Sequence, residues 1–151
     1  MTTLRIVSER SPLSALVCRP AVTIPATATV AEAAAAMEAA SVSAVLVGDG
    51  PAIVTERDIA RACIRGDPRE RAVGEIATHR PVIAPATMTI LDGSRLMLEQ
   101  HVRHLVVDLG DRWTVLSIRD VTAVLLQSTN PELWLEALRV SIEVPSELFL
   151  G

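Results

Sequence analysis

The sequence predicts an α+β fold of two β-α-β-β-α repeats, packed as a pseudo-twofold pair and followed by a short C-terminal extension. Three observations predict it. The chain repeats itself at a spacing of about 60 residues, each copy alternates strand-like and helix-like segments in the same order, and half of the 151 residues are apolar. One such unit would bury little apolar surface alone, so two copies sharing a core is the stable arrangement.

The repeat is read position by position. Pro25, Thr29, Val30, Met37, Val42 and Val47 recur as Pro85, Thr89, Ile90, Met97, Val102 and Val107, each 60 residues later. Thr55-Glu56-Arg57-Asp58 recurs as Ser117-Ile118-Arg119-Asp120, 62 residues later. The two extra residues fall between Val107 and Trp113, where a hairpin turn belongs, and turns tolerate insertion. The first repeat spans 11–65, a polar linker 66–71, the second repeat 72–128 and the extension 129–151.

Each copy opens with a short extended segment, Ala21 to Ile24 and then Pro81 to Ala84. A helix follows, Val30 to Ala40 and Ile90 to Gln100, with Val30, Ala34 and Met37 marking its apolar face at helical spacing. A hairpin comes next. Ala44 to Val47 turns through Gly48-Asp49-Gly50 into Ala52 to Val54, and His104 to Asp108 turns at Gly110-Asp111 into Trp113 to Leu116. A second helix closes each copy, Glu56 to Arg65 and Ile118 to Gln127, with apolar stripes Ile59, Ala62, Cys63 and Val121, Val124, Leu125. In the extension, Leu133, Trp134, Leu138 and Ile142 could line one side of a helix that either caps the core or meets a second subunit.

Composition excludes several functions. The formal net charge is -4, all 14 basic residues are Arg and they are scattered, so nucleic acid is not the expected partner. Only Trp113, Trp134 and Phe149 are aromatic, which leaves few side chains for stacking on bases. No apolar run is long enough to span a membrane, and Met1 to Arg10 carries no signal-peptide core, so the expected location is the cytoplasm. The Arg-only, Ala-rich usage suggests a bacterial source with a GC-rich genome. Cys18 and Cys63 form no CxxC pair and read as small buried hydrophobes. His101 and His104 are three apart, but His104 should begin a strand, so no single helical face presents both to a metal. No catalytic constellation is present, and neither a metal nor a required cofactor is expected.

The recurring box carries the chemistry. A Thr or Ser followed three residues later by an acid is a helix capping box, and Thr29-x-x-Glu32 and Thr89-x-x-Asp92 are further examples. The Thr55 and Ser117 boxes differ in position: each follows a strand directly and opens a helix. Free N–H groups there suit phosphate, an Arg adds a forked donor, and an Asp can accept from ribose hydroxyls.

The repeat resembles the CBS domain, and the tandem looks like a Bateman module, over Ser11 to Gln127. Ile53-Val54-Thr55-Glu56-Arg57-Asp58 and Val115-Leu116-Ser117-Ile118-Arg119-Asp120 carry the likeness, each being an apolar strand, a Thr or Ser, two residues and an Asp. The resemblance implies a non-catalytic regulatory module that binds an adenosine-type ligand (AMP, ADP, ATP or a related compound) between repeats, forms a homodimer and passes the signal to it or to a protein partner. It also implies cross-paired sites. One joins Val115, Ser117, Arg119 and Asp120 to Ala28, Val42, Ser43 and Ala44; the other joins Ile53, Thr55, Arg57 and Asp58 to Met88, Val102, Arg103 and His104. The family often has Gly where Ala52 and Thr114 stand, and Pro where Leu46 and Val106 stand. Arg103 and His104 are bulkier than Ser43 and Ala44, which favours the site around Asp120 for adenine. The departures keep a second reading open, a structural or stress-related interaction protein with the same fold and no nucleotide.

Overall fold

The computed structural model describes residues 7–17 and 19–127 together with Asn130 and Glu132; Cys18 and the helix expected along Leu133, Trp134, Leu138 and Ile142 lie outside the described residues. The elements follow the expected order: β1 (Thr23–Ile24), α1 (Val30–Ala40), β2 (Ala44–Val47), β3 (Ile53–Thr55), α2 (Glu56–Ile64), β4 (Ile83–Pro85), α3 (Ile90–Glu99), β5 (His104–Asp108), β6 (Trp113–Ser117) and α4 (Ile118–Leu126). Each repeat folds into a three-stranded sheet, ordered β1-β2-β3 and β4-β5-β6. The lead strand runs parallel to the middle strand, with Thr23 opposite Leu46 and Ile83 opposite Val106. β2 and β3 form the antiparallel hairpin, with Val45 opposite Val54. No helix of the described residues is long and apolar enough to cross a membrane.

Local chemistry accounts for the boundaries. Thr29 and Thr89 cap α1 and α3, accepting from the N–H of Glu32 and Asp92 at 3.1 Å each. Both helices are followed by left-handed backbone at Ser41 (φ 54°) and His101 (φ 53°), which turns the chain into the next strand. His101 therefore leaves α3 before His104 begins β5. The hairpin turns use Gly48 (φ 72°) and Gly110 (φ 90°), where a side chain would be strained.

Packing divides the described chain into two units. One gathers the described residues of 1–18, 82–109 and 116–151; the other gathers 19–81 and 110–115. The first unit's core holds Leu13, Ile90, Met97, Leu105, Val107, Leu116, Val121 and Leu125. The second holds Ala33, Met37, Val45, Val47, Val54 and Val73. The sequence repeat and the packed unit thus do not coincide. The short 3-10 turn at Leu13–Leu16 opens the first repeat but packs on α3 of the second, where Leu13 N–H donates to Met88 O (2.8 Å) and Ile90 N–H to Ser11 O (2.9 Å). The matching turn at Val73–Glu75 opens the second repeat but packs on α1 of the first, where Val73 N–H donates to Ala28 O (2.7 Å) and Val30 N–H to Arg71 O (2.9 Å). The linker before it is polar, as its sequence reads, yet Ala31 N–H donates to Arg69 O at 3.2 Å, so it also caps α1.

Two expectations are corrected. The buried alanine of α1 is Ala33, while Ala34 is only half-buried. Periodicity cannot choose a face inside the run Ala33 to Ala36, because every position carries the same side chain. Cys63 is exposed and free rather than buried. Of the stripe on α2 only Ala62 is buried and Ile59 is half-buried, because the helix is covered on a narrow side.

Candidate functional site

Both boxes stand where a strand hands over to a helix. In the first, Thr55 is the last residue of β3 and caps α2. Its N–H and its hydroxyl both donate to Asp58 Oδ2, at 2.8 Å each, and Asp58 N–H returns to Thr55 Oγ1 at 3.3 Å. In the second, Ser117 ends β6, and its N–H (2.7 Å) and hydroxyl (2.9 Å) both donate to Asp120 Oδ2. The cap therefore occupies one carboxylate oxygen in each box. Among the described residues Oδ1 of Asp58 and of Asp120 accepts no hydrogen bond, so a second acceptor is open to ligand hydroxyls.

The wall residues come next. Val42, Ser43 and Ala44 lead into β2, and Glu56 N–H, the first of α2, donates to Ser43 O at 3.0 Å. Val102, Arg103 and His104 lead into β5, and Ile118 N–H, the first of α4, donates to Arg103 O at 2.8 Å. Each box is thus tied to the strand start of its own repeat: Ser43 beside Thr55 and Asp58, Arg103 beside Ser117 and Asp120. The helix-start residues Ala28 and Met88 are half-buried, and the lead-in turns grip both through their carbonyls, at 2.7 and 2.8 Å. Ile53 is buried and Val115 half-buried on the strands before the boxes.

The two boxes are not equivalent electrically. Arg57 is half-buried, and its Nε and Nη2 are shielded from water. Arg119, at the matching position, is exposed, and so is Asp120, whereas Asp58 is half-buried. Ser43 in the first repeat is matched by Arg103 in the second.

Reading the sequence missed the lead-ins. Leu13 and Val73 are fully buried and hold the helix starts that carry Ala28 and Met88. The signal was there, since Ser11-Pro12-Leu13 and Arg71-Ala72-Val73 sit at the same 60-residue offset. What the offset does not say is which copy each segment packs against.

The comparisons agree with this architecture. A family model described as the CBS domain matches residues 13–65 and again 73–126. A CBS domain protein of Pyrobaculum aerophilum, solved in complex with AMP, is 29% identical with a TM-score of 0.66, over 84% of this chain and 98% of its own. A CBS-domain containing protein of Agrobacterium tumefaciens is 25% identical with a TM-score of 0.70, over 76% of this chain and 93% of its own. A hexameric CBS-CP12 protein of bloom-forming cyanobacteria shares the fold, at 24% identity and a TM-score of 0.65, over 73% of this chain and 68% of its own. No curated protein matches the chain.

Proposed function

Since the chain belongs to the CBS domain family, with two copies in tandem, we propose that it is a regulatory, non-catalytic module that binds an adenosine-type ligand such as AMP, ADP or ATP. Binding would be passed on through a homodimer or a protein partner in the cytoplasm. The observation that carries the reading is the pair of registered boxes, each holding an Asp with one oxygen committed to the helix cap and the other open. An open carboxylate oxygen accepts from the vicinal hydroxyls of a ribose, while backbone N–H groups at a helix start and a nearby guanidinium suit the phosphate. The AMP bound by the Pyrobaculum protein, at 29% identity, supports this ligand class.

The proposed contacts are Ser117, Arg119, Asp120 and Val115 with the wall Ala28, Val42, Ser43 and Ala44, and Thr55, Arg57, Asp58 and Ile53 with Met88, Val102, Arg103 and His104. The cross-pairing of box and wall rests on the family resemblance. A thermal-shift series with AMP, ADP, ATP, S-adenosylmethionine and NAD tests the reading, because a ligand that binds only the folded chain raises its melting temperature by mass action. The expected result is a shift of a few degrees with at least one adenosine nucleotide at millimolar concentration, lost in Asp58→Ala combined with Asp120→Ala. A second reading, an interaction protein of the same fold without nucleotide, has one observation in its favour. Thr114 stands buried at 3% exposure where the family often has Gly, so a side chain fills that place. A flat thermal-shift series would select it.

A further inference from the structure

We infer that the outer face of α2 is a self-association surface, on which the α2 of a second copy lies parallel about a twofold axis; this rests on the homodimer in the reading above and names the face that forms it. Its own unit makes little use of α2. The helix buries Ala62 alone, whereas α4, the matching helix, buries Val121, Val124 and Leu125. A helix of nine residues draws little stability from its backbone and relies on packing of an apolar face. In α2 the larger apolar groups lie on the other side. Ala60 and Ile64 are four residues apart on one outward line, opposite Ala62 on the helix, and Ile64 is 81% exposed. Cys63 is exposed beside them.

Two charges flank this line and choose the occupant. Glu56 stands on one side of it and Arg61, five residues on, stands on the other; both are exposed. Neither makes an ion pair to any described residue. When two helices pack side by side and parallel, an acid flanking the seam meets a base five residues further along the other helix. Glu56 therefore meets Arg61 of the second copy, and the twofold makes the contact twice. An antiparallel pair would set Arg61 against its own mate, like charge against like. Leu126, the match of Ile64 on α4, is 55% exposed, so apolar contact alone would not discriminate between the two helices. Charge does. Ile118 and Ala123 stand on α4 where Glu56 and Arg61 stand on α2, so pairing α2 with α4 would leave both charges of α2 unmatched. The face is complementary to itself, which makes a second copy of this chain its partner.

Sedimentation equilibrium of the full chain, without nucleotide, tests this. The wild type is expected to dimerise, and Ile64→Asp to weaken the dimer about tenfold or more by setting two carboxylates into the seam. Ile64 is exposed in the single chain, so the circular dichroism spectrum of that variant should not change. Glu56→Arg and Arg61→Glu should each weaken the dimer about threefold through two like-charge contacts, and the two combined should restore it to within about twofold of wild type. Orientation has its own measurement. In a chain carrying Cys18→Ser and Cys63→Ser, Ile64→Cys should form an intermolecular disulfide on mild oxidation, because a parallel pair brings this position to its own mate. A dimer indifferent to Ile64→Asp, a charge reversal that its opposite does not rescue, or a dimer that Ile64→Cys fails to crosslink overturns the inference while the homodimer stands. A chain that stays monomeric up to millimolar concentration overturns it together with the homodimer and leaves nucleotide binding, read by thermal shift, untouched.

Discussion

In α3, Gly93 leaves a space that Leu13 fills: a methyl group on Gly93 would lie 2.9 Å from Leu13 Cδ2. At the matching position of α1 stands Ala33, which shares its core with the shorter Val73. Leucine with glycine carries as many side-chain carbons as valine with alanine. The two repeats have therefore kept the volume of the joint while dividing it differently between helix and lead-in. In one unit the lead-in does most of the filling, and in the other the helix shares it. Duplicated halves can drift apart in this way because close packing constrains the sum at a contact more tightly than either partner.

The largest expected effect separates the two lead-ins. Leu13→Ala should cost about 3 kcal/mol, since Leu13 is fully buried and the glycine opposite it cannot refill the space. Val73→Ala removes less and should cost about 2 kcal/mol. Urea unfolding with unchanged slope would measure both. A loss for Val73→Ala that equals or exceeds the loss for Leu13→Ala would break the comparison, because the weight of filling would then not lie with the longer side chain.

A smaller effect sharpens it. Gly93→Ala brings a helix-propensity gain of about 1 kcal/mol, set against crowding of a buried side chain that costs about 1–3 kcal/mol. In the wild type the crowding should win by about 1 kcal/mol, because Leu13 has no exposed direction in which to move. With Leu13→Val already in place, which reproduces the other repeat's division of volume, the same Gly93→Ala should become neutral or stabilising. The double-mutant cycle should thus return a favourable coupling of about 1 kcal/mol or more. Additive single effects would mean that the two positions do not share one space.

Much of this was legible in the sequence for a physical reason. Capping boxes set helix starts within a residue, so Thr29, Thr55, Thr89 and Ser117 all head the helices that their spacing implies. Gly48 and Gly110 set the hairpins in the same way. What depends on a partner was not legible. The burial of Ala33 rather than Ala34 is decided by the unit that α1 packs into, and the exposure of Cys63 by how little of α2 is covered. The exchanged lead-ins were hidden for a deeper reason. Both copies offer nearly the same acceptors at Ala28 and Met88, so pattern alone cannot assign a donor to either. The same holds at the candidate site. The boxes could be read, but the backbone bond that sets Arg103 beside Ser117 and Asp120 joins residues 15 apart through a hairpin, and only the fold reveals it.

The smallest expected effect concerns the caps that open α1 and α3. Glu32 reaches back far enough to accept from both the N–H of Thr29 (2.7 Å) and its hydroxyl (3.1 Å). Asp92 accepts from the hydroxyl of Thr89 at 2.8 Å, without the cap N–H, and its other oxygen lies 3.6 Å from Arg95 Nη1. The Thr29 N–H, and after it the hydroxyl, hold the Glu32 carboxyl below its ordinary value of 4.5. A depressed folded value favours the ionised form in the folded state, so the contribution of Glu32 is complete above the ordinary value and is lost as pH falls through the lowered one. Glu32→Gln should therefore be less stable than wild type at pH 7 by a small margin, and the two melting temperatures should converge as the medium is acidified below pH 4.5. Asp92→Asn, which takes the charge from one cap contact instead of two and from an exposed pair with Arg95 that contributes little, should open a narrower gap at pH 7. A gap for Glu32→Gln that stays constant down to pH 3 would show that the cap works through shape and not through the charge on its carboxylate.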